Sequence, residues 1–120
     1  MNSELIVANN PKSGIAEAVK TIRTNLLFSS IDNPVRSILM TSSSTGEGKS
    51  FISANLAVAF AQAGVKVLVV DCDLRRGRQH KIFNIDNEKG LSNLLLDDVE
   101  KNYKKYIKKT RYENIYVLPM

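Results

Sequence analysis

The chain lacks the residues from which several kinds of functional site are built. Its 120 residues include no tryptophan, one cysteine and one histidine. The single Cys72 excludes an internal disulfide and suits a reducing compartment. The lone histidine has no Cys or His cluster with which it could form a zinc site. The longest mostly apolar region, residues 54–70, is interrupted by Gln62, Gly64 and Lys66, so it does not predict a membrane span. The N-terminus has no signal-peptide pattern, and we therefore expect a cytoplasmic protein.

Acidic residues are outnumbered by basic ones, which gives a formal net charge of +5. Much of this excess lies in residues 101–109, where lysines alternate with tyrosines, a pattern that can bind nucleic acid. However, Val99, Tyr103, Tyr106 and Ile107 recur at helical spacing, which places the lysines on the solvated face of a helix. We therefore expect no nucleic-acid partner.

The most informative segment is rich in glycine and follows a short apolar run. Residues 37–41 are typical of a buried strand, residues 45–50 read Thr-Gly-Glu-Gly-Lys-Ser, and an alanine-rich helix pattern follows to residue 63. A strand, a glycine-rich turn, Gly-Lys-Ser and a helix form the arrangement of a phosphate-binding P-loop. Ser43 stands where the strict pattern has its first glycine. We interpret the segment as a nucleotide site rather than an ordinary turn.

The P-loop pattern predicts a role for each of its residues. Gly46 and Gly48 allow backbone N–H groups to approach phosphate oxygens, and the following helix adds the positive end of its dipole. Lys49 supplies a positive charge for the phosphates, and Ser50 supplies a hydroxyl ligand for Mg²⁺. The predicted cofactors are ATP and Mg²⁺, bound by Thr45, Gly46, Glu47, Gly48, Lys49, Ser50 and Phe51.

Two carboxylates follow a second predicted strand. Residues 66–70 are an apolar, β-branched run typical of a strand buried on both faces, and Asp71-Cys72-Asp73 comes directly after it. The carboxyl ends of parallel strands are where open α/β sheets bind ligands, so the P-loop and both aspartates are predicted to lie together. Carboxylates there can hold Mg²⁺ and can accept a proton from an incoming hydroxyl. Which aspartate does which stays open at this point.

These motifs together resemble those of the bacterial protein-tyrosine kinases (BY-kinases) of capsule and exopolysaccharide synthesis. The resemblance is carried by residues 42–50, 54–57 and 67–76, and it continues in residues 79–84, 90–95 and 17–25. It covers the chain from about Pro11 to Pro119. It implies an autophosphorylating kinase that transfers phosphate from ATP to tyrosine hydroxyls and regulates polysaccharide synthesis.

The resemblance also implies site residues and partners. It makes Lys49, Asp71 and Asp73 catalytic, Ser50 and Asp73 metal ligands, and Arg75 or Arg76 a contact to phosphate or substrate. A helical motif that forms ring-shaped homo-oligomers in the family corresponds to Glu17, Lys20 and Arg23, with Lys20 in place of an arginine. The implied partners are protein tyrosine substrates and a transmembrane activator, which would hold the chain at the inner face of the membrane.

The predicted fold class is α/β, with a P-loop NTPase-like parallel sheet flanked by helices and preceded by a helical arm. The patterns predict helices over 14–29, 50–63 and about 91–109, and strands over 37–41, 66–70 and 115–118. We expect residues 1–33 to form the arm with the self-association helix and residues 34–120 to form the first part of the kinase domain. The expectation of a partial domain comes from the missing second apolar strand ending in aspartate, the Walker B element of the family.

Two alternative functions remain open. The first is a Min/Par-type ATPase switch, although those proteins have a lysine where this chain has Ser44. The second is a catalytically incomplete fragment that acts only as a binding module, which the missing Walker B strand favours.

Overall fold

The computed structural model describes residues 4–29, 35–41 and 48–120. The predicted domain boundary between residues 33 and 34 lies outside these ranges. In chain order the elements are α1 (Ile6–Asn9), α2 (Gly14–Phe28), α3 (Lys49–Gln62), β1 (Val67–Val70), α4 (Gln79–Ile82), α5 (Leu91–Leu94), α6 (Val99–Tyr106), β2 (Lys108–Lys109) and β3 (Ile115–Leu118).

The helix α2 begins where the sequence places a capping residue. The Ser13 hydroxyl accepts a hydrogen bond from the Ala16 N–H over 3.1 Å, which satisfies one of the free donors of the first turn. Ala16 and Val19 are buried, whereas Ile15 and Ile22 are 50% and 44% exposed. The predicted helix is confirmed. The face that it buries contains Ala16 and Val19, whereas the two isoleucines lie outside that face.

The helix α3 is the centre of the fold. Its residues 54–59 are all buried because the helix is apolar on nearly every side and is covered from two directions. The helices α1 and α2 pack on it from one side, and β1 packs on it from another. The core cluster accordingly joins Leu5 and Val19 from the N-terminal helices to Leu56 of α3 and to Ile115 and Val117 of β3.

A buried asparagine attaches the N-terminal segment to this helix. The Asn55 side chain is fully buried, accepts the Val7 N–H over 3.0 Å and donates to the carbonyl oxygen of Glu4 over 2.8 Å. Its amide also donates to the Phe51 carbonyl oxygen within the helix. The side chain is stable at this depth because these bonds replace those it would make to water.

The sheet has three strands in the order β1-β3-β2. The strands β1 and β3 are parallel, with Val67 opposite Ile115 and Val70 opposite Leu118, and β2 pairs antiparallel with β3. The expectation that β1 is buried on both faces is wrong: Leu68 and Val70 are 45% and 42% exposed. Helix α3 covers one face of β1, and no helix in the described part of the chain packs comparably on the other.

Two other predicted elements differ from the structure. Residues 35–41 contain no strand, so the prediction of a strand over 37–41 is wrong for the described residues. A strand exists only when a neighbour completes its hydrogen bonds, and no strand in the described ranges pairs with this segment.

The predicted helix over 91–109 is instead divided into α5, α6 and the strand β2. The break occurs at Asp98, whose carboxylate accepts the Lys101 N–H and caps a new helix. No residue of α6 is buried, and Val99 and Tyr103 remain 45% and 42% exposed. Tyr106 and Ile107 on the same side are partly buried, so this side of the helix lies at the boundary of the fold. None of the helices in the described ranges is long and apolar enough to cross a bilayer.

Candidate nucleotide site

The first turn of α3 presents backbone donors that no side chain of the described residues caps. Gly48 has φ +75° and ψ +16°, the left-handed conformation that glycine adopts without strain, and Lys49 is the first helical residue. No side chain of the described residues caps this helix end. The first N–H groups of a 14-residue helix therefore point outward together with the positive end of its dipole, which favours an anion such as phosphate. Thr45, Gly46 and Glu47, also predicted to bind nucleotide, lie outside the described residues.

Asp71 follows β1 and organises the loop after it. The residue is only 6% exposed. Its Oδ1 accepts the Asp73 N–H over 3.1 Å, and its Oδ2 accepts the Gln79 N–H over 3.1 Å. Both carboxylate oxygens thus accept backbone N–H groups, and these hydrogen bonds hold the start of the loop at Asp71 to its end at Gln79. Each oxygen keeps a second lone pair that can accept a hydrogen bond from a ligand.

Asp73 is more exposed and carries a stabilised negative charge. Its Oδ1 accepts the N–H groups of Arg76 and Arg75 over 2.9 and 3.2 Å. The hydrogen bond from the Arg76 N–H does most to lower the pKa of Asp73, and the Arg75 N–H and the positive charges of Lys49 and Arg76 lower it further against partial desolvation. The carboxylate is therefore ionised at neutral pH and lies within the electrostatic reach of Lys49.

Gln79 joins this loop to the start of α3 and was not predicted from the sequence. Its side-chain amide donates to the carbonyl oxygen of Ser50 over 3.2 Å, while its backbone N–H bonds to Asp71. The residue is 4% exposed, and its Oε1 has no hydrogen-bond partner among the described residues. A glutamine at the start of a short helix has no distinctive sequence pattern, so only the tertiary structure reveals this bridge.

A cavity brings four of the predicted residues together with Gln79. It has a volume of about 660 Å³, and Lys49, Ser50, Asp71, Asp73 and Gln79 all line it. Phe51, Arg75 and Arg76, which were also predicted to contact nucleotide or substrate, do not line the cavity. Both arginines are exposed.

The polar residues that line the cavity fit a magnesium-bound nucleotide. No group of three or more Asp, Glu, His or Cys residues in the described ranges could hold a metal ion on its own. Mg²⁺ commonly takes one or two protein ligands and completes its shell with phosphate oxygens and water. The Ser50 hydroxyl and the ionised Asp73 carboxylate are the metal ligands that fit this pattern. Gln79 lines the same cavity, and its buried Oε1 accepts no hydrogen bond from the described residues.

The predicted self-association residues all lie on α2, but their side chains make different contacts. Glu17 is exposed, and its carboxylate lies 3.7 Å from the Lys20 ammonium one turn along. Lys20 also donates to the Pro11 carbonyl oxygen over 2.9 Å. Arg23 instead bonds within the fold, because its guanidinium donates to the carbonyl oxygen of Ala59 on α3 over 3.1 Å. Of the three side chains, Glu17 is the most open to a partner.

Comparison with known proteins agrees with this geometry. The family described as the CobQ/CobB/MinD/ParA nucleotide binding domain matches residues 38–115. The tyrosine-protein kinase YwqD of Bacillus subtilis is 47% identical over 96 residues, which cover 80% of this chain and 40% of YwqD.

Two solved structures are also similar to this chain. The crystal structure of the chimerical protein CapA2B2 superposes with a TM-score of 0.87 and 49% identity, covering 99% of this chain and 51% of that one. The kinase domain of the Escherichia coli tyrosine kinase ETK gives a TM-score of 0.85 and 34% identity, with 98% of this chain and 45% of that one covered.

The chain thus spans about half or less of the length of these relatives. The predicted P-loop segment and the sheet after it lie within the matched region. The chain belongs to the CobQ/CobB/MinD/ParA nucleotide binding domain family, and the relatives that it matches include bacterial tyrosine-protein kinases.

Proposed function

We propose that the chain is the nucleotide-binding part of a kinase that transfers the γ-phosphoryl group of ATP to tyrosine hydroxyls. The observation that carries this proposal is the shared cavity, in which Lys49 and Ser50 at the head of α3 meet Asp71 and Asp73 after β1. The relative YwqD bears the name of a tyrosine-protein kinase, which favours phosphoryl transfer to protein over an ATPase switch.

The chemistry that these residues can perform is electrostatic positioning. The uncapped N–H groups at the head of α3 and the Lys49 ammonium bind phosphate oxygens and neutralise charge as the phosphoryl group leaves. Mg²⁺ held by Ser50 and Asp73 would supply further charge neutralisation. Asp71 is held rigidly by two backbone N–H groups, and its remaining lone pairs can orient the incoming hydroxyl and accept its proton.

The family resemblance supports a proposal for the wider biological role. We propose that the kinase phosphorylates itself and other tyrosine-containing proteins, and that it controls the synthesis of capsular or extracellular polysaccharide. It would work in the cytoplasm, held at the inner face of the membrane by a separate transmembrane activator. We propose that Arg75 and Arg76, which are exposed and follow Asp73 in the chain, contact phosphate or a protein substrate.

The activity is tested by comparing the wild-type chain with Lys49→Met, with Lys89→Met at an exposed position as the matched control. Binding of an ATP analogue is measured by calorimetry, and phosphotyrosine is measured by mass spectrometry after incubation with ATP and Mg²⁺. The proposal requires phosphotyrosine that disappears in Lys49→Met and persists in Lys89→Met. ATP hydrolysis without phosphotyrosine would instead identify a Min/Par-type switch.

We also propose that α2 mediates homo-oligomer formation through the exposed Glu17, with Lys20 and Arg23 supporting it. The neighbouring Ile15 and Ile22 are half exposed and provide apolar area for such a contact. Glu17→Lys should shift the oligomer to monomer in analytical ultracentrifugation without changing the unfolding midpoint. Glu100→Lys, an equal charge reversal on α6, should leave the assembly intact. Dissociation by both variants, or by neither, would argue against this surface.

A second candidate function is a binding module without catalysis. The specific observation in its favour is the edge strand β1, which pairs on one side only in the described part of the chain. Nucleotide binding without phosphotyrosine or hydrolysis in the calorimetry and mass spectrometry experiments would support this alternative.

A further inference from the structure

The helix α6 has an apolar side that the fold covers only in part. Val99, Tyr103 and Tyr106 follow one another at intervals of four and three residues, so they lie on one side of the helix. Tyr106 is partly buried, whereas Val99 and Tyr103 are 45% and 42% exposed. Among the helices and strands that the structure describes, only α5 packs closely on α6. Much of the apolar side is therefore open to contact from outside.

Two leucines extend this apolar surface beyond the helix. Leu95 and Leu96 directly follow α5 and are 60% and 92% exposed. Their loop is held to α6, because the Asp97 carboxylate accepts the Tyr106 hydroxyl over 2.6 Å and the Asn102 side-chain amide over 2.9 Å. An apolar surface of this kind is typical of a site that binds a partner or a membrane. We name the exposed apolar residues of this segment the apolar patch: Leu95, Leu96, Val99 and Tyr103.

The polar side of α6 and the segment after it are basic. Residues 101–111 contain five lysines, one arginine and no acidic residue. Only Lys108 among them forms an ion pair with a carboxylate of the described residues, at 3.9 Å from Asp86. The other basic side chains are exposed and form no such pair within the described ranges: Lys101, Lys104, Lys105, Lys109 and Arg111. Their charge is therefore available to an anionic partner.

Three acidic residues precede these lysines, and two of them have a local role. Asp97 holds the loop to α6, and Asp98 caps the helix by accepting the Lys101 N–H. Glu100 lies in the first turn, where a negative charge is favourable to the helix dipole. Six basic against three acidic residues leave residues 95–111 positively charged.

We propose that residues 95–111 bind directly to an anionic lipid bilayer. The apolar patch would enter the boundary between headgroups and acyl chains, and the lysines would extend toward the lipid phosphates. Leucine and tyrosine beside several lysines are the side chains that such a surface attracts, through apolar burial and through charge. A nucleic acid would use the same lysines, but it would leave Leu95 and Leu96 in water.

The test measures binding of the 120-residue chain to vesicles by co-sedimentation. Vesicles of phosphatidylcholine alone are compared with vesicles that also contain phosphatidylglycerol, which is anionic. We expect binding to the anionic vesicles to be at least about tenfold stronger and to weaken as the salt concentration rises. Equal binding to both kinds of vesicle, or binding to neither, would overturn the proposal.

The charge contribution is tested by replacing two lysines of α6. The double variant Lys104→Glu, Lys105→Glu should weaken binding to the anionic vesicles by at least about tenfold. Lys12→Glu, Lys89→Glu makes the same change of net charge at exposed positions outside the segment and should weaken it much less. Equal weakening by both double variants would mean that net charge, rather than this surface, attracts the chain. Far-UV circular dichroism checks that each variant keeps its helices.

The apolar contribution is tested at Leu96, which lies in the loop and is not part of the core. Leu96→Ser should weaken binding to the anionic vesicles by at least about fivefold, because one leucine less is buried in lipid. Leu39→Ser, at a position that is 84% exposed on another segment, should leave binding unchanged. Wild-type binding by Leu96→Ser would contradict insertion of the apolar patch.

A single-stranded oligonucleotide is the rival ligand. Oligonucleotide binding that is lost in Lys104→Glu, Lys105→Glu and kept in Leu96→Ser, without binding to vesicles, would assign the surface to nucleic acid and overturn the proposal. The vesicle measurements need neither ATP nor catalysis. A chain that binds anionic vesicles but forms no phosphotyrosine would therefore refute the kinase proposal alone.

Discussion

The side-chain amide of Gln79 donates a hydrogen bond to the carbonyl oxygen of Ser50 over 3.2 Å, and this contact joins the loop after β1 to the first turn of α3. The two aspartates lie in the segment after β1, on the Gln79 side of this contact. The phosphate-binding end of α3 lies on the Ser50 side. The relative position of the proposed metal ligands Ser50 and Asp73 therefore depends on a residue that contributes no charge.

Replacing Gln79 by methionine removes this bridge and keeps the volume and the backbone bond to Asp71. We expect affinity for an ATP analogue with Mg²⁺ to fall about tenfold, or about 1.4 kcal/mol. The reason is that the turn at Ser50 is no longer hydrogen-bonded to residue 79. Unfolding free energy should change by less than about 1 kcal/mol, because the lost bond is offset by removing the unpaired Oε1. Calorimetry and urea denaturation measure the two effects.

The control for this experiment is Gln62→Met, at the exposed C-terminal end of α3, which should alter neither quantity. Wild-type affinity in Gln79→Met would contradict the positioning role.

Asn55 connects the N-terminal segment to α3 through buried hydrogen bonds. Asn55→Ala removes three hydrogen bonds and leaves the Val7 N–H and the Glu4 carbonyl without this partner. We expect a loss of about 3 kcal/mol in unfolding free energy, measured by urea denaturation. Asn25→Ala, on the exposed side of α2, should change it by less than about 0.5 kcal/mol. Similar losses in both variants would mean that the buried network contributes little.

Gly48 is required by its backbone conformation rather than by lack of space. A Cβ at this position would meet no atom of the described residues within 4 Å, yet φ is +75°. Gly48→Ala should therefore cost about 1–2 kcal/mol through left-handed strain alone. Gly14→Ala, also without a close neighbour but with an ordinary φ, should be neutral or stabilising by up to about 1 kcal/mol. Thermal or urea unfolding of the pair distinguishes strain from a general intolerance of alanine.

The Asp97 carboxylate accepts the Tyr106 hydroxyl over 2.6 Å and connects the loop after α5 to the end of α6. The hydrogen bond from Tyr106 is the main cause of a lowered Asp97 pKa, and the same bond raises the pKa of Tyr106. The Asp97 contribution to stability is present above its ordinary pKa of 3.8 and is lost as pH falls through the lowered folded value. The Tyr106 contribution is present below its ordinary pKa of 10.0 and is lost as pH rises through the raised folded value.

Carboxyl NMR titration checks this assignment. In wild type the Asp97 midpoint should lie below 3.8, and in Tyr106→Phe it should move upward. An Asp97 midpoint that does not move would show that its backbone and Asn102 hydrogen bonds are sufficient.

Much of the fold was predictable because its signals are local. α2, α3, β1 and β3 were predicted within one or two residues from apolar periodicity and from capping or glycine positions. The break at Asp98 was not predicted, although an aspartate before an amphipathic stretch is a typical N-cap.

The remaining differences arise where structure depends on distant residues. The strand predicted over 37–41 has the right composition and no partner in the described ranges. Lys108 and Lys109 have a poor strand composition and still form β2, because β3 offers them a free edge. The bridge through Gln79 likewise exists only because three segments meet.

The sequence by itself determined the phosphate-binding helix end, the pair of aspartates after a strand and the membership of the family, because these depend on residue types at short spacing. The tertiary structure decided which aspartate is buried and which faces Lys49, which face of α2 is covered, and which strands pair. Hydrogen bonds between strands and the burial of a carboxylate need groups from separate parts of the chain, and only the folded arrangement brings those groups together.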